Sequence, residues 1–152
     1  MSKIDNEKNR TITIERIYQA PVSLVWEAWT KPEHIAKWWG PKGMKTNVIE
    51  HDFRVGGKWK YSMAMPDGKE FISEGTYLEI IESKRIVTSA DFKPMTLGVE
   101  LQVHLEKDGD KTKFTFKVVH PTEEYRIQQE KMGIYNGWGS VFDRLKEYLE
   151  KK

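Results

Sequence analysis

The chain has 152 residues, 38% of them hydrophobic, which suits one domain with its own core. Its 25 Lys and Arg against 23 Asp and Glu leave a net charge of +2, too even for the basic footprint of a nucleic-acid binder. With no Cys there is no disulfide framework, thiolate metal site or cysteine nucleophile, and no apolar run supplies a signal peptide or the ~20 residues of a membrane span.

These properties predict a cytoplasmic domain over residues 1–152, with the polar stretch 1–9 frayed. Thr11 to Tyr18 then places Ile12, Ile14, Arg16 and Tyr18 on one face at strand period. Pro21 is suited to open a helix in which Val22, Val25, Trp26 and Trp29 keep helical spacing. A second short helix follows from Pro32, with Ile35 and Trp38 or Trp39 as its buried side, and Gly40-Pro41 ends it.

From Lys45 to His120 the pattern changes to short runs of period two, separated by turn signals at Gly56-Gly57, Asp67-Gly68, Glu82-Ser83-Lys84 and Asp108-Gly109-Asp110. In the clearest run Trp59, Tyr61, Met63 and Met65 share one face, with Lys58, Lys60 and Ser62 on the other. The alternation returns in Ile72, Thr76, Leu78 and Ile80, in Ile86, Ala90 and Phe92, in Leu101, Val103 and Leu105, and in Phe114, Phe116 and Val118. With the first strand this predicts an antiparallel sheet of about seven strands.

The last helix is expected from Thr122, whose hydroxyl can cap it, with Glu123 and Glu124 near the positive end of its dipole. Ile134, Trp138, Val141, Phe142, Leu145, Tyr148 and Leu149 form one apolar stripe, while Asn136, Asp143, Glu147 and Glu150 fall opposite. Continued upstream, the stripe would put Glu130 and Lys131 on the apolar face and Met132 off it. The first part of the helix must therefore diverge, kink or reach past the sheet.

Known catalytic and metal signatures are missing. His34, His51, His104 and His120 show neither helical pairing nor Cys partners, so no metal site is expected. Gly56-Gly57 enters a strand and has no Lys-Ser/Thr, which excludes a phosphate loop. Two charged residues share phase with apolar neighbours: Arg16 with Ile12 and Ile14, and Glu74 with Ile72, Thr76 and Leu78. Both are candidates for the enclosed side of the sheet, either in structural ion pairs or as ligand contacts.

The order β-α-α-β6-α resembles the α+β helix-grip fold of the START, birch-pollen-allergen and polyketide-cyclase (SRPBCC) superfamily, in which a curved sheet wraps a terminal helix. Within it the chain is similar to the activator-of-heat-shock-protein-90-ATPase homologue-like family. The likeness rests on Ala20-Pro21 with Val25-Trp26, Trp38-Trp39-Gly40-Pro41, Asp52-Phe53-Arg54-Val55-Gly56-Gly57 with Trp59, Pro66-Asp67-Gly68, Glu74 to Glu79, and Gly137-Trp138. These motifs together are specific for fold and family but not for activity. The resemblance implies a chaperone accessory acting on the heat-shock-protein-90 ATPase as one role and a cyclase or hydrolase-like enzyme as another. Eukaryotic activators carry this domain behind a separate N-terminal one, which 152 residues leave no room for, so the chaperone role is not simply inherited.

A sheet curled around one helix leaves space. Trp59, Tyr61, Phe92, Phe116, Trp138 and Phe142 fall on its inward face, and Met63, Met65 and Met95 are adaptable wall material. Gly133, Gly137 and Gly139 lie where each interior helical Gly costs ~1 kcal/mol against Ala. The expectation is a non-catalytic, stress-related binder that holds a small aromatic or lipid-like molecule between sheet and helix, with no cofactor. Arg16, Trp59, Tyr61, Met63, Glu74, Phe92, Phe116, Gly137, Trp138 and Phe142 are its candidate contacts. An enzyme would need an acid–base pair converging there, and Arg16 and Glu74 alone do not supply one.

Overall fold

A computed structural model describes residues 7–40, 45–64, 67–93 and 96–151. Pro41, Met65, Pro66 and Met95, named above, lie outside the described residues, as do residues 1–6. Residues 7–9 form one helical turn, and Asn9 O accepts a hydrogen bond from Arg126 Nε at 2.5 Å.

Seven strands make one antiparallel sheet: β1 (Thr11–Tyr18), β2 (Lys45–His51), β3 (Lys58–Ala64), β4 (Glu70–Ile81), β5 (Arg85–Lys93), β6 (Thr96–Asp108) and β7 (Lys111–Val119). Their order across the sheet is β1-β7-β6-β5-β4-β3-β2, so the meander is consecutive and β1 closes against β7. Register shifts at Val48/Glu50, Tyr77/Glu79 and Ala90/Phe92 bend the strands, as a residue without a counterpart must. The helices are α1 (Val22–Thr30), α2 (Pro32–Trp38), α3 (Glu123–Lys131) and α4 (Ile134–Glu150). This is the helix-grip arrangement, with α4 on the concave face.

The core follows the predicted stripe. Val141, Phe142, Leu145 and Leu149 of α4 are buried against Ile12, Ile14, Phe114 and Phe116 of the sheet. Trp29 of α1 fills the centre: its ring lies 5.9 Å from Phe114, 6.2 Å from Phe116 and 6.4 Å from Phe142. Two polar tips buried with this cluster find backbone partners, Trp38 Nε1 donating to Ala28 O at 2.9 Å and Tyr18 Oη to Phe142 O at 3.3 Å.

Two expectations need correction. The terminal helix is two helices: Thr122 caps α3 by accepting from Tyr125 N, but α3 ends at Lys131, and Gly133 at φ 90° starts α4 in a new direction. Gly133 is thus not an interior helical residue but the left-handed joint that only Gly adopts without strain. This resolves the broken phase, since the polar turns before Gly133 never had to continue the stripe.

The second correction concerns β4. Its inward residues upstream are Ser73 and Tyr77, both buried, while Leu78 is 49% exposed. The bulge between Tyr77 and Glu79 inverts the alternation, so Ile80 packs on the core although Leu78 does not. Phase read backwards from Ile80 across that bulge comes out wrong. Glu74 accordingly faces away from the core and pairs with Lys93 Nζ at 3.5 Å.

Candidate functional site

The break at Gly133 leaves one end of the sheet uncovered by a continuous helix. There a cavity of about 270 Å³ lies between Met63 of β3, Phe71 and Ser73 of β4, Phe92 of β5 and the first turns of α4. Trp39 and Gly40, just after α2, form its side, and Met132 and Gly133 its lip. Ile134, Gly137, Trp138 and Val141 present one face of α4 to it. At the ~30 Å³ that a water molecule takes up in the liquid, there is room for roughly ten non-hydrogen atoms.

Three aromatic rings frame the space. Trp39 stacks with Phe92 at 6.4 Å and 22°, and Trp138 meets Trp39 edge-on at 5.9 Å and Phe92 at 5.4 Å. Edge-to-face contacts of this kind fix the rings in place without filling the space they enclose. Trp39 and Gly40 are held by Arg144 of α4, whose Nη1 donates to Trp39 O at 3.1 Å and Gly40 O at 3.3 Å. This cation at the C-terminal end of α2 also suits the helix dipole.

Among the described residues, no charged side chain lines the cavity. Its polar groups are few. Thr96 Oγ1 donates to Gln129 Oε1 at 2.6 Å, a buried pair that ties α3 to β6. Ser73 is 1% exposed and its Oγ has no hydrogen-bond partner among the described residues.

Of the predicted contacts, Met63, Phe92, Gly137 and Trp138 line this cavity. Gly137 lies at its mouth, exposed, and a Cβ added there would have nothing within 4 Å. Phe116 and Phe142 are wholly buried behind the wall, their rings 4.6 Å and 5.7 Å from that of Trp138. Trp59 and Tyr61 share the face of Met63 but sit under Trp39, beside a void of only about 20 Å³. Arg16 keeps the predicted face but reaches α4 at Gly139, whose added Cβ would lie 3.6 Å from its Nη2, away from the cavity. Glu74 is on the other side of the sheet.

Phe71 and Ser73 escaped the sequence reading because of the inverted phase of β4. Gln129, 4% exposed on an otherwise polar helix, had no sequence signal, since its partner Thr96 is 33 residues away.

Beside the small void, His51 Nε2 donates to Thr30 O at 2.7 Å, so Nδ1 is the acceptor for the Tyr61 hydroxyl at 2.9 Å. Burial pushes the His51 pKa down and that of Tyr61 up, which keeps the pair neutral. This pair braces β2 and β3 against the end of α1. Among the described residues there is no cluster of three or more groups able to hold a metal ion, and no helix long and apolar enough to cross a membrane.

Residues 19–150 match the family model described as activator of Hsp90 ATPase homolog 1-like protein. The chain belongs to this family. The fold of this activator-homologue family, within the SRPBCC superfamily, recurs in solved structures. A Nitrosomonas europaea protein is similar at 29% identity and a TM-score of 0.82, over 94% of this chain and 96% of that one. One from Chromobacterium violaceum shares 26% identity at a TM-score of 0.79, over 92% and 97% of the two chains. An Arthrobacter aurescens protein reaches a TM-score of 0.88 at 23% identity, over 97% and 90%, a likeness of fold alone. No curated protein matches the chain.

Proposed function

We propose that this chain binds a small hydrophobic molecule in the cavity between its sheet and α4, without carrying out chemistry on it. The observation that carries this reading is the apolar cavity itself: about 270 Å³, framed by Trp39, Phe92 and Trp138, with no charged residue among its described lining. An open apolar cleft of this kind keeps hydrophobic surface in water, which a small apolar occupant would cover. The fold supports it too, since a sheet gripping one helix is suited to enclosing a ligand.

A screen of small flat aromatics and short aliphatic alcohols by chemical-shift perturbation tests this. Shifts should concentrate at Trp39, Phe92 and Trp138, and Gly137→Leu should abolish them while the protein stays folded. Uniform silence across the screen, or unchanged affinity in folded Gly137→Leu, would overturn the reading.

The family description favours a second reading, an accessory of a heat-shock-protein-90-type chaperone. An ATPase assay of the chaperone with and without the chain decides it: stimulation supports this role, and an unchanged rate together with no co-purification rejects it.

A further inference from the structure

The cavity is apolar, yet its wall includes a buried hydroxyl, that of Ser73, with no hydrogen-bond partner among the described residues. Ser73 sits on the inner face of β4, opposite Tyr61 of β3 and Phe92 of β5. Neither neighbour serves its hydroxyl. Tyr61 Oη is engaged with His51 Nδ1, and Phe92 has no polar atom. The other hydroxyl in the wall, Thr96 Oγ1, already gives its proton to Gln129. Most buried hydroxyls are paired, because leaving one unpaired forfeits its hydration for nothing in return.

Charge narrows what could pair with it. A carboxylate or ammonium entering the cavity would lose its water shell and meet no counter-ion among the described lining residues. A neutral group loses far less, and a serine hydroxyl can donate to a carbonyl or accept from a hydroxyl.

We propose that the cavity selects an uncharged ligand, an aromatic body of roughly ten non-hydrogen atoms bearing one hydroxyl or carbonyl that hydrogen-bonds to Ser73 once its enclosed hydroxyl turns from the wall into the space, with Trp39, Phe92 and Trp138 around the body. This rests on the reading of the cavity as a binding site and narrows it, excluding ionised fatty acids and aryl carboxylates. Ser73 thereby fixes which end of the molecule enters first.

The test uses naphthol, naphthalene and naphthoate with the full chain at neutral pH, in the wild type, Ser73→Ala and Gly137→Leu, each with a thermal melt. Naphthol should bind about tenfold more tightly than naphthalene, naphthoate weakest. Ser73→Ala should cut the naphthol affinity about tenfold, leave naphthalene unchanged, and melt no lower than the wild type, because it removes an unpaired hydroxyl. Gly137→Leu should lose all three. Equal affinity for naphthol and naphthalene, unaltered in Ser73→Ala, would overturn the polar contact while leaving the cavity as a binding site. Naphthoate binding best would overturn the selection for neutral ligands. If no probe binds the wild type, the contact and the binding reading fall together.

Discussion

The same substitution, Gly to Ala, made at Gly133 and at Gly137 should move stability in opposite directions. Gly137 is within α4, its amide bonded to Gly133 O at 3.1 Å, and a Cβ there meets nothing within 4 Å. Ala at this place gains helix propensity and loses nothing, so Gly137→Ala should stabilise by ~1 kcal/mol. Gly133 has equally open surroundings but a φ of 90°. There Ala gains no contact and must adopt a left-handed backbone, at a cost of roughly 1–2 kcal/mol. The two variants should therefore differ by ~2–3 kcal/mol. At the ~2–4 °C per kcal/mol typical of a domain this size, that separates their melting temperatures by about 4–12 °C. Scanning calorimetry on both, with urea melts to check the slope, measures it. A neutral or stabilising Gly133→Ala would show that α3 and α4 are one continuous helix, and the account of how the cavity arises would fail with it.

Three further outcomes follow from the same packing. Gly75→Ala should destabilise by about 3 kcal/mol, because its Cβ would collide with Ser89 O of the adjacent strand and lie 2.9 Å from Trp59 Cζ2; a melt within ~2 °C of the wild type would refute this. Arg144→Met leaves the carbonyls of Trp39 and Gly40 without this donor and should cost ~2 kcal/mol and weaken naphthol binding, whereas unchanged binding would show that the ring contacts and the Thr46 Oγ1 bond to Trp39 O, at 2.6 Å, suffice to hold Trp39. Burial holds His51, His104 and His120 below their ordinary value of 6.5, so the unfolded chain takes up protons first as the pH drops. Stability should be full above about pH 6.5 and fall as the pH goes through and below it. His120, with no exposed surface and a buried Nε2 that has no partner among the described residues, should contribute to the loss. Urea melts at about pH 7.5 and about pH 5.5, for the wild type and His120→Asn, check this; equal stability of the wild type at both would sink it.

The fold was legible because its signals are periodic and local. Trp59-Tyr61-Met63 and Phe114-Phe116-Val118 alternate without interruption, and the stripe from Ile134 to Leu149 has only one way to be buried. Where the reading failed, one residue had changed the count. The extra residue at Tyr77/Glu79 turned Ser73 inward and Glu74 outward, and nothing in the β4 sequence EFISEGTYLEII marks that position as a bulge, because its cause lies in the pairing with β5. The candidate site was legible only where it coincided with the core pattern, at Met63, Phe92 and Trp138, and at Gly137, where a small residue lay just beside a stripe of large ones.

The rest of the cavity depends on long-range geometry. Gln129 is a polar residue on a polar helix until Thr96 meets it, and Gly133 resembles a weak helical residue until its backbone turns left. Both belong to the joint between α3 and α4, and that joint is what keeps the helix from sealing the sheet. A continuous helix would turn Glu130 and Lys131 onto the apolar face of α4. The left-handed turn at Gly133 instead sends the chain aside and leaves Gly137 at the mouth, so the same broken phase that disrupts the amphipathic pattern accompanies the open cavity.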